Sequence, residues 1–312
     1  MKRYLLRRFY AMLIILLCVS AITFSLMHLV PGDPAQIIAE KKYGEEVTTA
    51  TVELVRKEMG LDRPIFIQYF SWLRGIFQGD FGESFRTGLP VWDEIMNRLP
   101  ATAELALAAI LVSLIIAIPV GVISAVKQYS LLDNASMIGA MVGVSMPNFW
   151  LGLLLILFFS VHLEWLPVFG RGELKHLILP ALTLGTGMAA ITTRLTRSSI
   201  LEVLKQDYVR TARAKGLTET VVINSHVLKN SLIPVVTVVG LQFGALLEGA
   251  VVVEVIFAWP GIGRLLYDSI FARDYPVIQG CVFIIAMIYV TVNLLVDISY
   301  AWLDPRIRYE VK

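Results

Sequence analysis

Apolar residues gather along this chain in six long stretches that are separated by polar segments. A bilayer core about 30 Å thick needs ~20 mostly apolar residues in a helix, and each stretch comes close to that length or exceeds it. The stretches are 9–30, 101–126, 136–161, 177–193, 232–258 and 277–303. Hydrocarbon offers no partner for unpaired backbone amides, and the alternation typical of a barrel is absent. The pattern predicts an all-α integral membrane protein with six transmembrane helices.

The composition supports this prediction. Of the 312 residues, 56% are apolar and 17% are charged, and the mean hydropathy is +0.70, whereas an ordinary soluble domain has ~25% charged residues. The first stretch follows four basic residues, as a secretory signal does, but its run of about 22 apolar residues is too long for a signal core. We interpret it as a retained helix. Cys18 and Cys281 lie inside predicted helices and indicate no disulfide or metal site.

Basic residues predict the orientation of the helices. With the amino terminus in the cytosol, the inner segments hold fifteen of the 27 lysines and arginines in about 65 residues, and the outer segments hold twelve in about 105. This asymmetry satisfies the positive-inside rule and places both termini in the cytosol. The predicted organisation is a tip and first helix (1–30), an outer segment (31–100), a core (101–303) with an inner loop at about 198–231, and a tail (304–312).

The outer segment between the first two crossings has its own helical signals. Thr48 or Thr49 can cap a helix that runs to Met59 and stops at Gly60, and Asp62 with Pro64 can start another. The second helix carries an apolar stripe at spacings of four, three and four. The stripe is Phe66, Phe70, Leu73 and Phe77. We expect it to pack on the outer ends of the spanning helices or at the lipid interface, while contact with a substrate or partner is the alternative.

The inner segment 194–231 predicts two helices joined at a glycine. The first presents an apolar face that continues past Ala212, and Gly216 supplies a left-handed stop. Thr218 can cap the second helix, and Pro234 is expected in the first turn of the fifth crossing. The apolar edges are Ile200, Leu201, Leu204 and Tyr208 in the first helix and Val221, Val222 and Leu228 in the second. Such a segment can lie against lipid headgroups or insert into a cleft of another protein.

One motif in this segment resembles a known family. Residues 210–216 read Arg-Thr-Ala-Arg-Ala-Lys-Gly, and residues 226–228 read His-Val-Leu. They resemble the loop motif of ABC importer membrane subunits, in which Glu-Ala-Ala, three residues, Gly, nine residues and Ile-x-Leu-Pro form the helix that docks on the ATP-hydrolysing subunit. Ala212, Gly216 and Leu228 match the motif, whereas Arg210, Thr211, His226 and Lys229 depart from it. These departures are typical of the permeases for peptides and nickel.

Further short motifs extend the resemblance over nearly the whole chain and indicate the first of the two similar permeases. They include Leu6-Arg7-Arg8, Pro31-Gly32-Asp33-Pro34, Gly79-Asp80-Phe81-Gly82, Ser145-Met146-Pro147, Thr196-Arg197-Ser198-Ser199, Trp259-Pro260-Gly261, Arg273-Asp274-Tyr275-Pro276 and Asp304-Pro305-Arg306. The resemblance implies a type I ABC importer permease with six transmembrane helices and an extracytoplasmic helical segment between helices 1 and 2. It also implies a location in the cytoplasmic membrane of a prokaryote.

The resemblance implies partners as well. These are a homologous second permease, two ABC ATPase subunits and an extracytoplasmic solute-binding protein, with no nucleic acid. The coupling residues it implies are Asp207, Arg210, Ala212, Arg213, Lys215, Gly216, Leu217, Val221, Val222, His226 and Leu228. Packing of Leu217, Val221 and Val222 is expected to carry most of that contact. ATP and Mg are expected on the ATPases, because this chain has no phosphate loop, and Gly170-Arg171-Gly172 lacks its spacing. The chain itself is predicted to be neither an enzyme nor a cofactor protein.

Polar residues within the spanning stretches are candidates for the translocation path, because burying polar groups in lipid is costly. They are Gln242, Glu248, Glu254, Asn293 and Asp297, and Glu248 is the first choice for contact with cargo. A structural role in hydrogen bonds between helices is the alternative for each.

The cargo is predicted to be short peptides or nickel, with glutathione as an alternative. The four histidines, at positions 28, 162, 176 and 226, are scattered and predict no metal site. The compact loop 164–176 resembles nickel and glutathione permeases and slightly favours nickel. A stand-alone secondary transporter or channel is the competing class, although the chain shows no convincing internal repeat.

Overall fold

Helices account for almost all of the regular structure in the computed structural model. It describes residues 2–29, 33–44 and 47–303, with side chains except at 2–5, 26–29, 41, 245, 248 and 299–303. The helices are α1 (Lys2–Leu29), α2 (Pro34–Tyr43), α3 (Thr49–Glu58), α4 (Ile65–Phe77), α5 (Val91–Val126), α6 (Leu131–Ser145), α7 (Asn148–Leu155), α8 (Leu174–Val203), α9 (Asp207–Ala214), α10 (Glu219–Val221), α11 (Lys229–Leu241), α12 (Phe243–Ile256), α13 (Ile262–Ala272) and α14 (Tyr275–Leu303). π-Helical turns at Ile156–His162 and Val222–Leu228 extend α7 and α10. The motif residues 30–32 and 304–312 lie outside the described part.

The prediction of six crossings is confirmed by the lengths and composition of these helices. Five are long and apolar enough to span a membrane, and a sixth span results if Leu131–Ser145 and Asn148–His162 form one bent crossing. That pair bends by 106° at Met146 and Pro147. Proline has no backbone N–H and disfavours helical geometry in the residue before it, which explains a break at this position.

The predicted fifth crossing, 232–258, is wrong as one uninterrupted helix. A helix runs without interruption from Glu219 to Leu241, Gln242 forms a turn, and α12 follows. Pro234 therefore lies inside a helix and not at its first turn. Hydropathy marks where residues suit lipid, whereas backbone hydrogen bonds continue through the polar residues 219–228. A helix that is anchored by tertiary packing does not need an apolar composition throughout.

The chain divides into two compact units, one formed mainly by residues 102–260 and 292–303. In this unit α6, α7, α11 and α12 pack on α8, whose buried residues extend from Leu179 to Ile200. Buried threonines of α8 donate their hydroxyl groups to the carbonyl oxygen four residues earlier, over distances of 2.7–2.8 Å for Thr183, Thr192 and Thr196. These hydroxyl groups are thereby satisfied within their own helix, so they add small packing surfaces without an unpaired polar group.

The second unit comprises residues 2–101 and 261–291. Its main cluster joins Ile76 and Phe81 to the start of α5, to α13 and to α14 through Val91, Ile262 and Cys281. Cys281 is fully buried here, as a small apolar residue is expected to be. A smaller cluster around Ile38, Ala39 and Val55 packs α2 on α3.

The helical signals in residues 47–90 are only partly confirmed. Thr48 caps α3, and Gly60 follows that helix with a φ of 65°. A helix does begin after Asp62 and Pro64, since α4 starts at Ile65, but no side chain caps it. Of the predicted stripe, Phe66, Phe70 and Phe77 are exposed and only Leu73 is buried, so packing of the whole stripe on the spanning helices is wrong and its place at the lipid interface stays a prediction. Ile76 and the half-buried Tyr69 and Trp72 replace them on the packed face.

A buried carboxylate fixes the loop before α5. Asp274 accepts hydrogen bonds from the hydroxyl of Ser84 at 2.5 Å and from the backbone amides of Phe85 and Arg86 at 3.0 and 3.2 Å. Asp274 directly follows Arg273, the residue that caps the end of α13 with a left-handed φ of 53°. Hydrogen bonds between a carboxylate and several backbone amides are stronger than neutral ones. Two segments about 190 residues apart are therefore held in one rigid corner.

Candidate functional site: the α9 loop and the break at Gln242

The loop between α8 and α11, residues 204–228, folds on its own apolar core and is here called the α9 loop. Val209 and Ala212 are the buried residues of α9, and they pack with Ile200, Val222 and Val227. Ala125, at the end of α5, belongs to the same cluster. The predicted first helix is interrupted at Lys205 and Gln206, so α9 is a separate helix. The loop is thus a folded element attached to the ends of α5 and α8.

The turn after α9 is closed by a glycine and an ion pair. Gly216 has a φ of 79°, which confirms the predicted left-handed stop. Across this turn the guanidinium of Arg213 donates to both carboxylate oxygens of Glu219, at 2.6 and 3.1 Å. These hydrogen bonds raise the pKa of Arg213 above its ordinary value, so the arginine stays charged. Thr218 occupies the cap position before α10 but makes no side-chain cap bond.

The predicted coupling residues divide into an exposed set and a buried set. Asp207, Arg210, Arg213, Lys215, Gly216, Leu217 and Val221 are exposed, His226 and Leu228 are half-buried, and Ala212 and Val222 are buried. Val222 has no exposed surface because it fills the core of the loop. The expectation that Val222 packs against another protein is therefore wrong. Of the three apolar residues predicted to pack on the ATPase subunit, Leu217 and Val221 remain available for such a contact, and they are 39% and 42% exposed.

A buried carboxylate connects the helix ends next to this loop, and the sequence analysis missed it. Asp133 accepts two hydrogen bonds from the guanidinium of Arg197, at 2.7 and 2.8 Å. The hydroxyl of Ser124 and the amide of Tyr129 donate to the same carboxylate, at 2.5 and 2.9 Å. The pair is bidentate and links α6 to α8, while Ser124 adds α5. Its only sequence signal was an acidic residue and an arginine at the ends of neighbouring apolar stretches, 64 positions apart.

The candidate path residues with described side chains differ in their burial and in their partners. Gln242 is buried at the interruption between α11 and α12, and its amide donates to the hydroxyl of Thr192 on α8 at 3.0 Å. Glu254 is fully buried and accepts from the hydroxyl of Thr102 at 2.6 Å, an arrangement that fits a structural role. Asn293 and Asp297 are half-buried on α14.

Glu248 and the histidines were the remaining candidates for contact with cargo or with a metal. The side chains of Glu248 and His28 lie outside the described residues. His176 accepts from the amide of Glu173 at the start of α8, which is a capping contact. Within the described part of the chain, no group of three or more His, Cys, Asp or Glu side chains could hold a metal ion.

Asn148 is a polar residue at the bend that the sequence analysis did not select. It begins α7, and its amide approaches two glycines closely. A Cβ atom added at Gly249 would lie 2.7 Å from its nitrogen, and one added at Gly187 would lie 3.4 Å from its oxygen. An amide held against two bare backbone segments suits a close helix contact in lipid.

The bundle of candidate spanning helices with one folded polar loop fits a multi-pass membrane protein, and comparison with known proteins shows its class. The chain belongs to the family described as the binding-protein-dependent transport system inner membrane component, which matches residues 117–309. Residues 1–106 match the amino-terminal region of the binding-protein-dependent transport system membrane component. The protein is therefore a multi-pass inner-membrane permease with a transport role.

Curated relatives cover the full length of the chain. The dipeptide transport system permease protein DppB of Alkalihalophilus pseudofirmus is 44% identical over 99% of this chain and all of the relative. The glutathione transport system permease protein GsiC of Escherichia coli is 45% identical, with the same coverage. These matches confirm the predicted class, an ABC importer permease of the peptide type.

Solved structures confirm the fold. The MetNI methionine ABC transporter in an inward-facing conformation matches with a TM-score of 0.56 and 16% identity, over 67% of this chain and 96% of that chain. An amino acid ABC transporter with histidines matches with a TM-score of 0.51 and 15% identity, over 69% and 94%. Together with the helical architecture, they support an all-α permease of type I.

Proposed function

We propose that this permease forms part of the pore through which an ATP-driven importer moves short peptides or glutathione. The cargo class comes from the dipeptide and glutathione permeases that match the whole chain. Nickel, which the compact loop 164–176 slightly favoured, receives no support from these relatives. The described residues contain no cluster of three possible metal ligands. This observation does not alter the preference for a peptide-like cargo.

The partners of this pore are a homologous second permease, a solute-binding protein and two ATPase subunits that bind ATP and Mg. We assign the ATPase contact to the exposed surface of the α9 loop around Leu217 and Val221. In this arrangement both termini and the α9 loop lie in the cytosol, as the distribution of basic residues favours.

The buried apolar face of α9 is the observation that carries this assignment. A helix that lies on lipid headgroups presents its apolar face to the membrane. In α9 that face, Val209 and Ala212, is turned into the chain's own core. The outward surface is polar, with Asp207 paired to Arg210 and Arg213 paired to Glu219. The outward surface of the α9 loop is therefore polar around the apolar side chains of Leu217 and Val221, and such a surface suits a cleft in another protein better than a bilayer.

A change of charge at the exposed apolar positions tests the ATPase contact. Leu217→Asp and Val221→Asp should leave the permease folded in the membrane, because both side chains are exposed. A carboxylate buried without a partner in the docked interface costs more than about 1.4 kcal/mol, so ATPase binding should weaken by about tenfold or more. The measurement is co-purification of ATPase subunits and the ATPase activity that loaded binding protein stimulates in the reconstituted complex.

Two controls make the outcome specific. Leu131→Asp places the same charge at the first residue of α6, which is 87% exposed and lies outside the α9 loop, and should leave coupling intact. Val222→Asp enters the loop core and should reduce the amount of folded permease. Full stimulation in Leu217→Asp and Val221→Asp would refute the contact. Transport by the chain without ATPases would instead favour the stand-alone transporter.

The cargo is tested separately in cells that lack this chain. Uptake of labelled dipeptide or labelled glutathione should fall and should return when the chain is restored, while nickel uptake should remain at its original level. Loss of nickel uptake alone would contradict the proposed cargo without affecting the class of transporter.

A further inference from the structure

The helix α4 has an exposed aromatic face that the transport mechanism does not use. Phe66, Phe70 and Phe77 are 60%, 64% and 76% exposed. At 3.6 residues per turn, these three positions fall within an arc of about 40°. Arg74 is the single charged residue among the thirteen of α4. Exposed aromatic residues aligned in this way need a partner surface.

The neighbouring face of α4 is fixed to α1 at a defined place. The hydroxyl groups of Tyr69 and Ser20 lie 2.8 Å apart, and the ring of Tyr69 meets Phe24 edge to face at 5.5 Å. Ser20 already donates its proton to the carbonyl of Leu17 at 2.8 Å, so Tyr69 is the donor to Ser20. Ser20 is fully buried in this contact.

This anchor lies at membrane depth. The part of α1 that is apolar enough to span a membrane includes Leu6–Ser25, so Ser20 and Phe24 both belong to it. Tyr69, and with it the middle of α4, is therefore held beside the apolar part of α1.

The order of side chains around α4 matches three different surroundings. Tyr69 and Ile76 face the protein, the three phenylalanines come next, and Arg74 and Ser71 lie further round on an exposed side. A helix at the edge of a bilayer needs this order, with protein on one side, acyl chains on the next and headgroups beyond. Aromatic side chains are also favoured at that depth.

We propose that α4 is embedded in one leaflet of the membrane, with Phe66, Phe70 and Phe77 in contact with lipid acyl chains. The helix lies beside Ser20 and Phe24 of α1 and widens the lipid-facing surface of the permease there. It is thus a membrane-embedded element, although it is too short to cross the bilayer.

Depth measurements with nitroxide labels test this proposal. In a Cys18→Ala, Cys281→Ala background, single labels are placed at Phe66→Cys, Phe70→Cys and Phe77→Cys. Lys57→Cys is the control, because it is exposed on the polar helix α3. The assembled transporter is reconstituted in vesicles of phosphatidylethanolamine and phosphatidylglycerol. Collision with oxygen, which concentrates in acyl chains, is compared with collision with a water-soluble nickel chelate.

The three phenylalanine positions should collide preferentially with oxygen, whereas Lys57→Cys should collide preferentially with the nickel chelate. Preference for the chelate at the phenylalanine positions would overturn the proposal and indicate an aqueous face for a binding protein. Protection from both reagents would also overturn it and indicate that another protein subunit covers the face. Three independent sites keep the test decisive if one label prevents assembly, and retained ATPase activity identifies the folded variants.

Discussion

Gly185 lies where α8 approaches α5 too closely for any side chain, and Gly185→Ala should force the two helices apart. An added Cβ atom would lie 2.7 Å from Cγ1 of Val112 and 2.8 Å from the carbonyl oxygen of Ala109. The β-carbon of Val112 also lies 2.8 Å away, and ordinary contacts begin near 3.4 Å, so α8 must move by about 0.6 Å from this carbon and the carbonyl oxygen, neither of which can rotate away. Backbone and β-carbon atoms, unlike the end of a flexible chain, offer no cheap relaxation.

The free-energy cost of overpacking at Gly185 can be isolated by comparison with a second helical glycine. Gly139 of α6 has no atom within 4 Å of an added Cβ. Both substitutions bring the same gain of up to about 1 kcal/mol in helix propensity. The difference between Gly185→Ala and Gly139→Ala is therefore the steric cost of overpacking, about 1–3 kcal/mol.

Unfolding of the purified permease in mixed micelles with rising sodium dodecyl sulfate measures this difference. Gly139→Ala should unfold at or above the parent midpoint, and Gly185→Ala should unfold clearly below it. Because α8 leads directly into the α9 loop, stimulated ATPase activity should fall with Gly185→Ala and stay unchanged with Gly139→Ala. Equal midpoints for the two variants would refute the reasoning, since the close packing of α5 on α8 would then contribute nothing measurable to the stability of the permease.

Two further predictions concern the buried carboxylates. Arg197→Met should lower both the unfolding midpoint and stimulated ATPase activity, because Asp133 loses its bidentate partner, while Arg210→Met at an exposed pair should leave the unfolding midpoint unchanged; a normal midpoint in Arg197→Met would contradict this role. Asp274→Asn should destabilise the permease by about 1–3 kcal/mol, because the new amide nitrogen cannot accept from the amides of residues 85 and 86, and faster proteolysis of the loop 82–90 would report it. Unchanged protease resistance would indicate that this corner is held by other contacts.

Local chemistry explains what the sequence could predict. Gly60 and Gly216 were expected to stop helices and do so with positive φ angles, because glycine alone adopts that geometry without cost. Pro147 lies at the 106° bend of the third crossing, because proline lacks the backbone N–H that a continuous helix needs there. Such effects act within a few residues, and no knowledge of the rest of the fold is needed to read them.

Tertiary packing decided what the sequence could not predict. Val221 and Val222 are adjacent and chemically identical, yet one is exposed and the other fills the core of the α9 loop. On α4, the aromatic stripe left packing on the spanning helices and contact with lipid both open, and the face that packs on α1 is the neighbouring one, through the contact of Tyr69 with Ser20. Periodicity identifies an apolar face but does not distinguish protein from lipid as its surroundings.

The uninterrupted helix from Glu219 to Leu241 has a mechanical consequence. Twenty-three residues make a rod about 35 Å long, so a tilt of about 10° at one end displaces the other by about 6 Å. In the arrangement proposed above, a push from an ATPase at the turn near Gly216 would travel along this helix as far as Gln242, where its first interruption lies. A small rotation outside the membrane would then become a larger displacement within it.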